Sequence, residues 1–220
     1  MKKNGVLIFI KYPFLGDVKS RLSIKFGENL TVTLYKKFVQ DLLEMLKKTN
    51  YPVLICFFPP DRILEFKKWL GNNYEFIPQV GINLGERLKN CFIKGFELGY
   101  NNLIVIGSDS PDIPEKIIHK SIEKLNDNDT VIGPSEDGGY YLIGFTDRSF
   151  TQRVFEDITW SSASVFEETV DKLKSGLKKI YILEKWYDVD TIEDLKKLYK
   201  KNVNTDFKTS ETMNFLKNKL

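Results

Sequence analysis

"GVLIFIKYPFLGDVKSRL", residues 5–22, joins a short uncharged apolar run to a loop that contains three cations. The run has the length of a β-strand, and continuous apolar runs are typical of strands in a parallel sheet that is covered on both faces. Similar runs recur along the chain, and most are followed by segments with helical periodicity. We predict strands over residues 5–10, 52–58, 74–77, 102–107, 130–133, 140–145 and 179–183, and helices over 28–49, 61–70, 84–98, 114–126, 163–175 and 191–201.

This alternation of strands and helices favours an α/β fold. The 220 residues, of which 42% are hydrophobic, suit one domain. We therefore predict a single-domain, three-layer α/β/α fold with a mostly parallel mixed sheet over residues 1–201, and a C-terminal helix or loosely held tail over residues 202–220. Ligands bind such sheets outside the carboxyl ends of the strands, so the loops there are the candidate sites.

Composition excludes several kinds of partner. The net charge of +3 arises from 33 basic and 30 acidic residues without a dense basic block, so no nucleic-acid partner is predicted. No apolar stretch reaches about 18 residues, so we expect no membrane partner and a cytoplasmic protein. Cys56 and Cys91 lie in apolar surroundings and are predicted to be core thiols without a disulfide. His119 is predicted to be a surface or half-buried residue, and the oligomeric state is not predicted.

The loop after the first strand contains Lys11, Gly16, Lys19 and Arg21. Lysine acts as a point charge toward phosphate, and the arginine fork pairs with two phosphate oxygens at once. The loop therefore favours an anionic ligand, although a solvated basic loop is the alternative. Neither the Walker motif nor the dinucleotide-binding glycine motif occurs in the chain.

Three aspartates follow later strands. Asp109 comes directly after the fourth strand in "GSDSPDIP", and "WYDVDTIEDL" contains Asp188 and Asp190, whose carboxylates share one side of an extended backbone. Mg²⁺ and Mn²⁺ bind one or two protein carboxylates and complete their shell with water and phosphate oxygens, so these acids could form a metal site. The alternative is that Asp109 stabilises a turn and that Asp190 or Thr191 caps the next helix in a capping box.

The segment "GPSEDGGYYLIGF", residues 133–145, contains Asp137 followed by Gly138, the dipeptide that most strongly predicts a tight hairpin. Gly139 and Tyr140 follow at once. Adjacent glycines next to a tyrosine also suit a ligand that lies close to the backbone, so a hairpin turn and a ligand contact are both open.

Five blocks of this chain resemble, in order and spacing, a known family over residues 5–200: "KYPFLGDVKSRL", "NLGERL", "GSDSPDIP", "GPSEDGGYYLIG" and "WYDVDTIEDL". The family comprises glycosyltransferases of the nucleotide-diphospho-sugar transferase (GT-A) superfamily that are named for association with radical-SAM and selenium-related domains. More distantly, the chain is similar to the guanylyl- and cytidylyltransferases of molybdenum-cofactor and deazaflavin-cofactor synthesis.

The resemblance implies a role for each block. It implies that the nucleotide is bound by Lys11, Gly16, Lys19, Arg21, Arg87 and Ser108. It implies that Mg²⁺ or Mn²⁺ is bound by Asp109, Asp188 and Asp190. It implies that the transferred group or the acceptor contacts Asp137, Gly138, Gly139 and Tyr140, and that the catalytic residues are Lys19, Asp109 and Asp137.

We therefore predict a metal-dependent transferase that moves a glycosyl group from a nucleotide-sugar to a small acceptor. One alternative is transfer of a nucleotidyl group from a nucleoside triphosphate to a phosphorylated small molecule, and another is a non-catalytic nucleotide-binding module. Gly16 is the only glycine between residues 6 and 26, so this loop offers few glycine backbone N–H groups that could bind a triphosphate. Replacing Lys19 or Arg21 by alanine is expected to weaken nucleotide binding and to leave the stability of the empty protein nearly unchanged.

Overall fold

The computed structural model describes residues 3–217 and 219, so positions 1, 2, 218 and 220 of the predicted terminal segments lie outside the described residues. The strands are β1 (Asn4–Lys11), β2 (Val53–Phe58), β3 (Glu75–Pro78), β4 (Asn102–Ile106), β5 (Thr130–Pro134), β6 (Tyr140–Thr146) and β7 (Ile180–Ile182). The α-helices are α1 (Ser20–Phe26), α2 (Glu28–Lys48), α3 (Ile63–Leu70), α4 (Leu84–Glu97), α5 (Glu115–Lys124), α6 (Val165–Ser175), α7 (Ile192–Asn202) and α8 (Glu211–Leu216). Short 3-10 helices cover Gln152–Phe155 and Asp206–Thr209.

The seven strands form one sheet in the order β3-β2-β1-β4-β6-β5-β7. Strand β6 is antiparallel to β4 and β5, and the other pairs are parallel. This confirms the mostly parallel mixed sheet, and each strand begins and ends within one residue of its prediction. The prediction missed α1, which is only seven residues long and has Leu22 as its one buried side chain.

Both faces of the sheet are covered, which confirms the three layers. Along β2, Ile55 and Phe57 belong to one core, whereas Leu54 and Cys56 belong to the other, because successive side chains of a strand point to opposite faces. Helices α2 and α5 cover the first face, and α4 and α6 cover the second. None of the helices within residues 3–217 is long and apolar enough to cross a membrane.

The C-terminal helix belongs to a third apolar cluster. Leu216 of α8 is fully buried with side chains of α1, α2 and α7. Asp41 of α2 accepts the backbone N–H groups of Glu211 and Thr212 at 2.9 and 2.8 Å, which satisfies free donors at the start of α8. Of the two forms expected for residues 202–220, the structure therefore shows a packed helix over Glu211–Leu216.

Candidate functional site

The loops that follow β1, β3, β4, β5 and β7 lie at one edge of the sheet, where the parallel strands end. Two adjacent cavities open there. The Lys19 cavity has a volume of about 460 Å³ and is lined among others by Lys11, Lys19, Arg87, Ser108, Asp109 and Asp190. The Asp137 cavity has a volume of about 530 Å³ and is lined among others by Ser110, Ser135, Asp137, Trp160, Ser162 and Asp188. Asp109 and Tyr140 line both cavities.

A third cavity, of about 540 Å³, lies at the opposite edge of the sheet and is lined by residues such as Asn101, Asp129, Asp147 and Lys179. None of the site residues predicted from the sequence lines it. Ligands of such sheets bind at the carboxyl ends of the strands, so position, and not volume, selects the first two cavities.

Lys19 lies at the centre of the site. Its backbone has φ of 51°, a left-handed conformation that costs a non-glycine residue about 1 kcal/mol, and its side chain is only 4% exposed. Its Nζ contacts Asp109 Oδ1 and lies 2.9 Å from Asp190 Oδ1. Burial disfavours the charged form, but the two carboxylates more than offset it and raise the pKa of Lys19. Lys19 is therefore a buried cation that joins the loops after β1, β4 and β7.

Both carboxylate oxygens of Asp190 accept hydrogen bonds from cations that follow β1. Its Oδ2 accepts a hydrogen bond from Arg21 Nη2 at 2.7 Å, while its Oδ1 accepts one from Lys19. Burial opposes the charge, but Lys19 and Arg21 lower the pKa of Asp190. The capping box that begins α7 uses Thr191 and Asp194. The sequence had left Asp190 or Thr191 open as the cap, and Thr191 fills that role.

Asp188 lies on the other side of Val189, whose backbone N–H donates to the carbonyl oxygen of Asp109 at 2.9 Å. Ser110 Oγ donates to Asp188 Oδ1 at 2.8 Å. Burial, together with the negative charge of Asp109, raises the pKa of Asp188 to about 7. In the part of the chain that the structure describes, no cation forms an ion pair with Asp188.

The segment that carries Asp188 and Asp190 is held in place by Asp112. This carboxylate is 1% exposed and accepts hydrogen bonds from Tyr187 Oη at 2.5 Å, Asn202 Nδ2 at 2.9 Å and Lys201 Nζ at 3.1 Å. Because Tyr187 directly precedes Asp188, the buried network fixes the path of the backbone beside Asp109.

The structure brings the three predicted metal ligands close together, but their three carboxylates do not surround a common metal position. Across residues 3–217 and 219, no group of three His, Cys, Asp or Glu side chains is placed to hold a metal ion. Both oxygens of Asp190 are occupied by cations, whereas Asp109 and Asp188 each keep one oxygen that receives no hydrogen bond from the described residues. Two neighbouring carboxylates, one with a raised pKa, fit a divalent ion whose other ligands are water and phosphate oxygens.

The predicted hairpin turn is confirmed at the tip that joins β5 to β6. The N–H of Ser135 donates to the carbonyl oxygen of Gly139 at 3.0 Å, and Asp137 Oδ1 accepts hydrogen bonds from Ser135 Oγ and from the N–H of Gly139. Gly138 has φ of 92°, and a Cβ there would collide with the carbonyl oxygen of Ala163. Gly138 therefore packs against the protein, while Asp137, Gly139 and Tyr140 line the Asp137 cavity.

Of the other predicted nucleotide-binding residues, Lys11, Arg87 and Ser108 line the Lys19 cavity, whereas Arg21 lines the Asp137 cavity. The backbone N–H of Lys11 donates to Tyr35 Oη at 3.0 Å, and Tyr35 Oη lies 3.0 Å from Ser108 Oγ. Arg87 Nε donates to the carbonyl oxygen of Gly81, and its guanidinium lies 3.9 Å from the centre of the Phe58 ring. Gly16 has φ of 81° and supplies a turn; it does not line the cavity.

Sequence reasoning missed the segment 160–163, which lines the Asp137 cavity. The ring of Trp160 packs on Gly85 of "NLGERL", where a Cβ would lie 2.7 Å from a ring atom. The available signal was a tryptophan followed by two serines, residues 160–162, which lie outside every predicted strand and helix. Tyr35 was also missed, because helical spacing alone shows it only as a core residue of α2.

Comparison with known proteins identifies relatives that align with most of the chain. A crystal structure from Desulfovibrio desulfuricans G20, of a protein with the provisional name nucleotide-diphospho-sugar transferase, is 41% identical with a TM-score of 0.95, and the match covers 99% of this chain and 95% of that chain. The 2-phospho-L-lactate guanylyltransferase of Methanocaldococcus infernus is 25% identical over 189 residues, which cover 84% of this chain and 80% of the relative.

Two further structures share the fold alone. CMP:2-keto-3-deoxy-manno-octonic acid synthetase in complex with CTP has a TM-score of 0.57 at 12% identity, covering 90% of this chain and 97% of that chain. Rv0371c from Mycobacterium tuberculosis H37Rv, in complex with manganese, has a TM-score of 0.53 at 13% identity with the same coverage.

These comparisons confirm the predicted nucleotide-diphospho-sugar transferase-like fold and support the prediction of a transferase. The guanylyltransferase relative favours the nucleotidyl-transfer alternative, and association with radical-SAM domains stays a prediction. Residues 41–162, more than half of the chain, match the family described as "Uncharacterized protein conserved in bacteria (DUF2064)". The chain therefore belongs to the DUF2064 family.

Proposed function

We propose that the protein binds a nucleotide donor in the Lys19 cavity and transfers a group from it to a small acceptor in the Asp137 cavity. One observation carries this proposal: a cavity lined by three cations and three carboxylates adjoins a cavity lined by three carboxylates and one cation, and the two share Asp109. A transferase needs such a meeting point, because the atom that moves must reach both ligands.

The donor phosphates would lie among the cations of the Lys19 cavity. Lys19, like Arg21 of the adjoining Asp137 cavity, already pairs with carboxylate groups, so its charge is partly balanced. Lys11 and Arg87 form no ion pair with any described residue, and both line the cavity. These two side chains therefore have charge available for phosphate oxygens, and the buried Lys19 is already in position to stabilise charge that develops on the leaving group.

Asp109 and Asp188 would hold Mg²⁺ or Mn²⁺, each through the oxygen that receives no hydrogen bond from the described residues. When bound, such an ion would neutralise charge on the donor phosphates. Asp190 then has a separate task, because it orients Lys19 and Arg21 toward the same phosphates.

Two reactions suit this arrangement. In nucleotidyl transfer, which the guanylyltransferase relative favours, an acceptor oxygen bonds to the α-phosphorus while the bond to the bridging oxygen breaks and pyrophosphate leaves. If that oxygen belongs to a hydroxyl group, its proton passes to Asp137. In glycosyl transfer, which the name of the 41% identical relative favours, the acceptor hydroxyl oxygen bonds to the anomeric carbon. The bond from that carbon to the β-phosphate oxygen breaks, a nucleoside diphosphate leaves, and the hydroxyl proton passes to Asp137.

Isothermal titration of nucleoside triphosphates and nucleotide-sugars, with Mg²⁺ or Mn²⁺, tests the donor site. Lys11→Ala should weaken nucleotide binding roughly 10- to 100-fold, the scale of one charge-assisted hydrogen bond. Lys179→Ala, an exposed lysine at the opposite edge, should bind like wild type. Equal affinities of the two variants would contradict the assignment. Release of pyrophosphate from a triphosphate, or of a nucleoside diphosphate from a nucleotide-sugar, then decides between the two reactions.

A further inference from the structure

The Asp137 cavity contains carboxylates where a phosphorylated acceptor would need cations. We propose that the acceptor is an uncharged molecule rich in hydroxyl groups, of the sugar or polyol class, and that this cavity rejects phosphorylated acceptors. This inference rests on the proposed function and names the chemical class of its second substrate. Three features of the cavity support it: the charges of its lining, its hydrogen-bonding groups and the ring of Trp160.

The charges that line the cavity are mostly negative. Asp109, Asp137 and Asp188 line it, and Arg21 is the one cation among its described lining residues. The guanidinium of Arg21 is already paired with Asp190. A divalent ion on Asp109 and Asp188 would balance those two carboxylates but would be shared with the donor phosphates, and Asp137 would keep its charge. A phosphate group beside this exposed carboxylate would meet like charge, which disfavours its binding.

The polar groups of the cavity accept hydrogen bonds more than they donate them. Ser110 donates its hydroxyl proton to Asp188, and Ser135 donates its own to Asp137. Asp137 Oδ2 receives no hydrogen bond from the described residues. Asp137 is exposed to water, and an ionised carboxylate only accepts hydrogen bonds, so a ligand group that displaces water from this oxygen must be a donor.

The lining hydroxyls of Ser162 and Tyr141 follow the same pattern, whereas that of Ser161 forms no hydrogen bond with the described residues. Ser164 donates to Glu168, so the proton shared between Ser162 and Ser164 comes from Ser162. Tyr141 donates to the carbonyl oxygen of Glu184. A phosphate brings only acceptors at neutral pH and would find few donors here, whereas each hydroxyl of a polyol can donate to the oxygens that remain free.

Trp160 supplies an apolar wall beside these oxygens. Its ring is packed on Gly85 and lines the cavity next to Ser162. A flat aromatic surface next to hydrogen-bond acceptors suits a carbon skeleton that bears hydroxyl groups. A cationic amine would also donate hydrogen bonds, but Arg21 and the ion expected at Asp109 and Asp188 disfavour a second cation.

Glucose, glucosamine and glucose 6-phosphate test this inference, because they share one skeleton and differ in charge. Each is titrated by saturation-transfer NMR into protein loaded with Mg²⁺ and the nucleotide that binds best. We expect glucose to bind at least tenfold more tightly than glucose 6-phosphate and more tightly than glucosamine. Glucose 6-phosphate or glucosamine binding as tightly as glucose would overturn the inference, as would failure of glucose, ribose and glycerol alike to bind at their highest usable concentrations.

Asp137→Asn replaces the free acceptor oxygen by an amide that can donate, so it should reduce the preference for glucose over glucose 6-phosphate by at least fivefold. Asp147→Asn, the same change at the opposite edge, should leave the preference intact. If Asp137→Asn fails to fold, Trp160→Ala should weaken glucose binding and leave nucleotide binding unchanged. An unaltered preference in Asp137→Asn, or unaltered glucose binding in Trp160→Ala, would count against the inference. If the wild-type protein bound no nucleotide, the proposed function itself would be wrong.

Discussion

Charge is balanced around Lys19 and unbalanced around Asp188, although both side chains lie beside the same Asp109. Lys19, Asp109, Asp190 and Arg21 form a continuous chain of ion pairs. Asp188 has one serine as its hydrogen-bond partner and a pKa raised to about 7. The first cluster is paired within the protein itself, whereas Asp188 forms no ion pair with a cation of residues 3–217 or 219.

This difference indicates which interactions serve the fold and which await a ligand. A buried cation between two carboxylates holds three loops together and keeps its geometry in the empty protein. A desolvated carboxylate beside a like charge lowers stability and persists where a ligand compensates it, so strongly raised pKa values mark candidate functional sites. The comparison yields four predictions, in order of decreasing effect.

Lys19→Met should have the largest effect on the folded protein. It leaves Asp109 and Asp190 facing each other without their shared cation. Because these carboxylates are 49% and 30% exposed and water screens part of their repulsion, we expect a loss of about 3 kcal/mol in the free energy of unfolding at pH 8. Urea titration measures this loss, with Lys179→Met as the exposed control. The sequence alone had predicted an unchanged stability for a Lys19 variant, which is incompatible with a side chain 4% exposed between two carboxylates. Wild-type stability in Lys19→Met would show that the ion pairs do not hold the loops.

Asp188→Asn should stabilise the metal-free protein at pH 8 by about 2–3 kcal/mol. Folding raises the pKa of Asp188, so the wild-type folded state holds the proton more tightly than the unfolded state. Its contribution to stability is therefore full below about pH 4 and is lost as the pH rises to about 7. The difference in unfolding free energy between variant and wild type should grow over that interval and then level off. A difference that is constant with pH would contradict the raised pKa.

Asp190→Asn separates the two carboxylates that flank Val189. Lys19 keeps Asp109, so we expect a loss of about 1–2 kcal/mol at pH 8 and weaker nucleotide binding, but an unchanged effect of Mn²⁺ on that binding. Asp188→Asn should instead abolish the effect of Mn²⁺. Calorimetric titration of the nucleotide with and without Mn²⁺ compares the two variants. If Mn²⁺ no longer changed the nucleotide affinity of Asp190→Asn, Asp190 would have to be a metal ligand.

Arg21→Ala should have the smallest effect on stability. The arginine side chain is 69% exposed, and exposed ion pairs contribute about 0–1 kcal/mol. Nucleotide binding should weaken by up to roughly tenfold if Arg21 contacts a phosphate. A larger loss of stability than for Lys19→Met would reverse the comparison on which these predictions rest.

Strand positions were predictable because each depends on a local run of apolar residues. The hairpin at Asp137 and Gly138 was predictable for the same reason, since turn geometry depends on adjacent residues. The edge of the sheet at which Lys11, Asp109 and Asp190 meet also followed from the order of strands and loops. The short helix α1 was not predictable, because seven residues with one buried leucine give no helical period.

Residue order alone therefore specifies the strands, the hairpin and the loops that reach the functional edge. Only the folded chain decides how the charges pair. Lys19 and Asp190 are 171 residues apart, and the sequence near either residue does not predict that they form an ion pair. The same holds for the ring of Trp160 on Gly85 and for Tyr35 between Lys11 and Ser108. Apolar periodicity is set by near neighbours, whereas the pairing and burial of a charge depend on which distant segments the packed layers bring within a few ångströms of it.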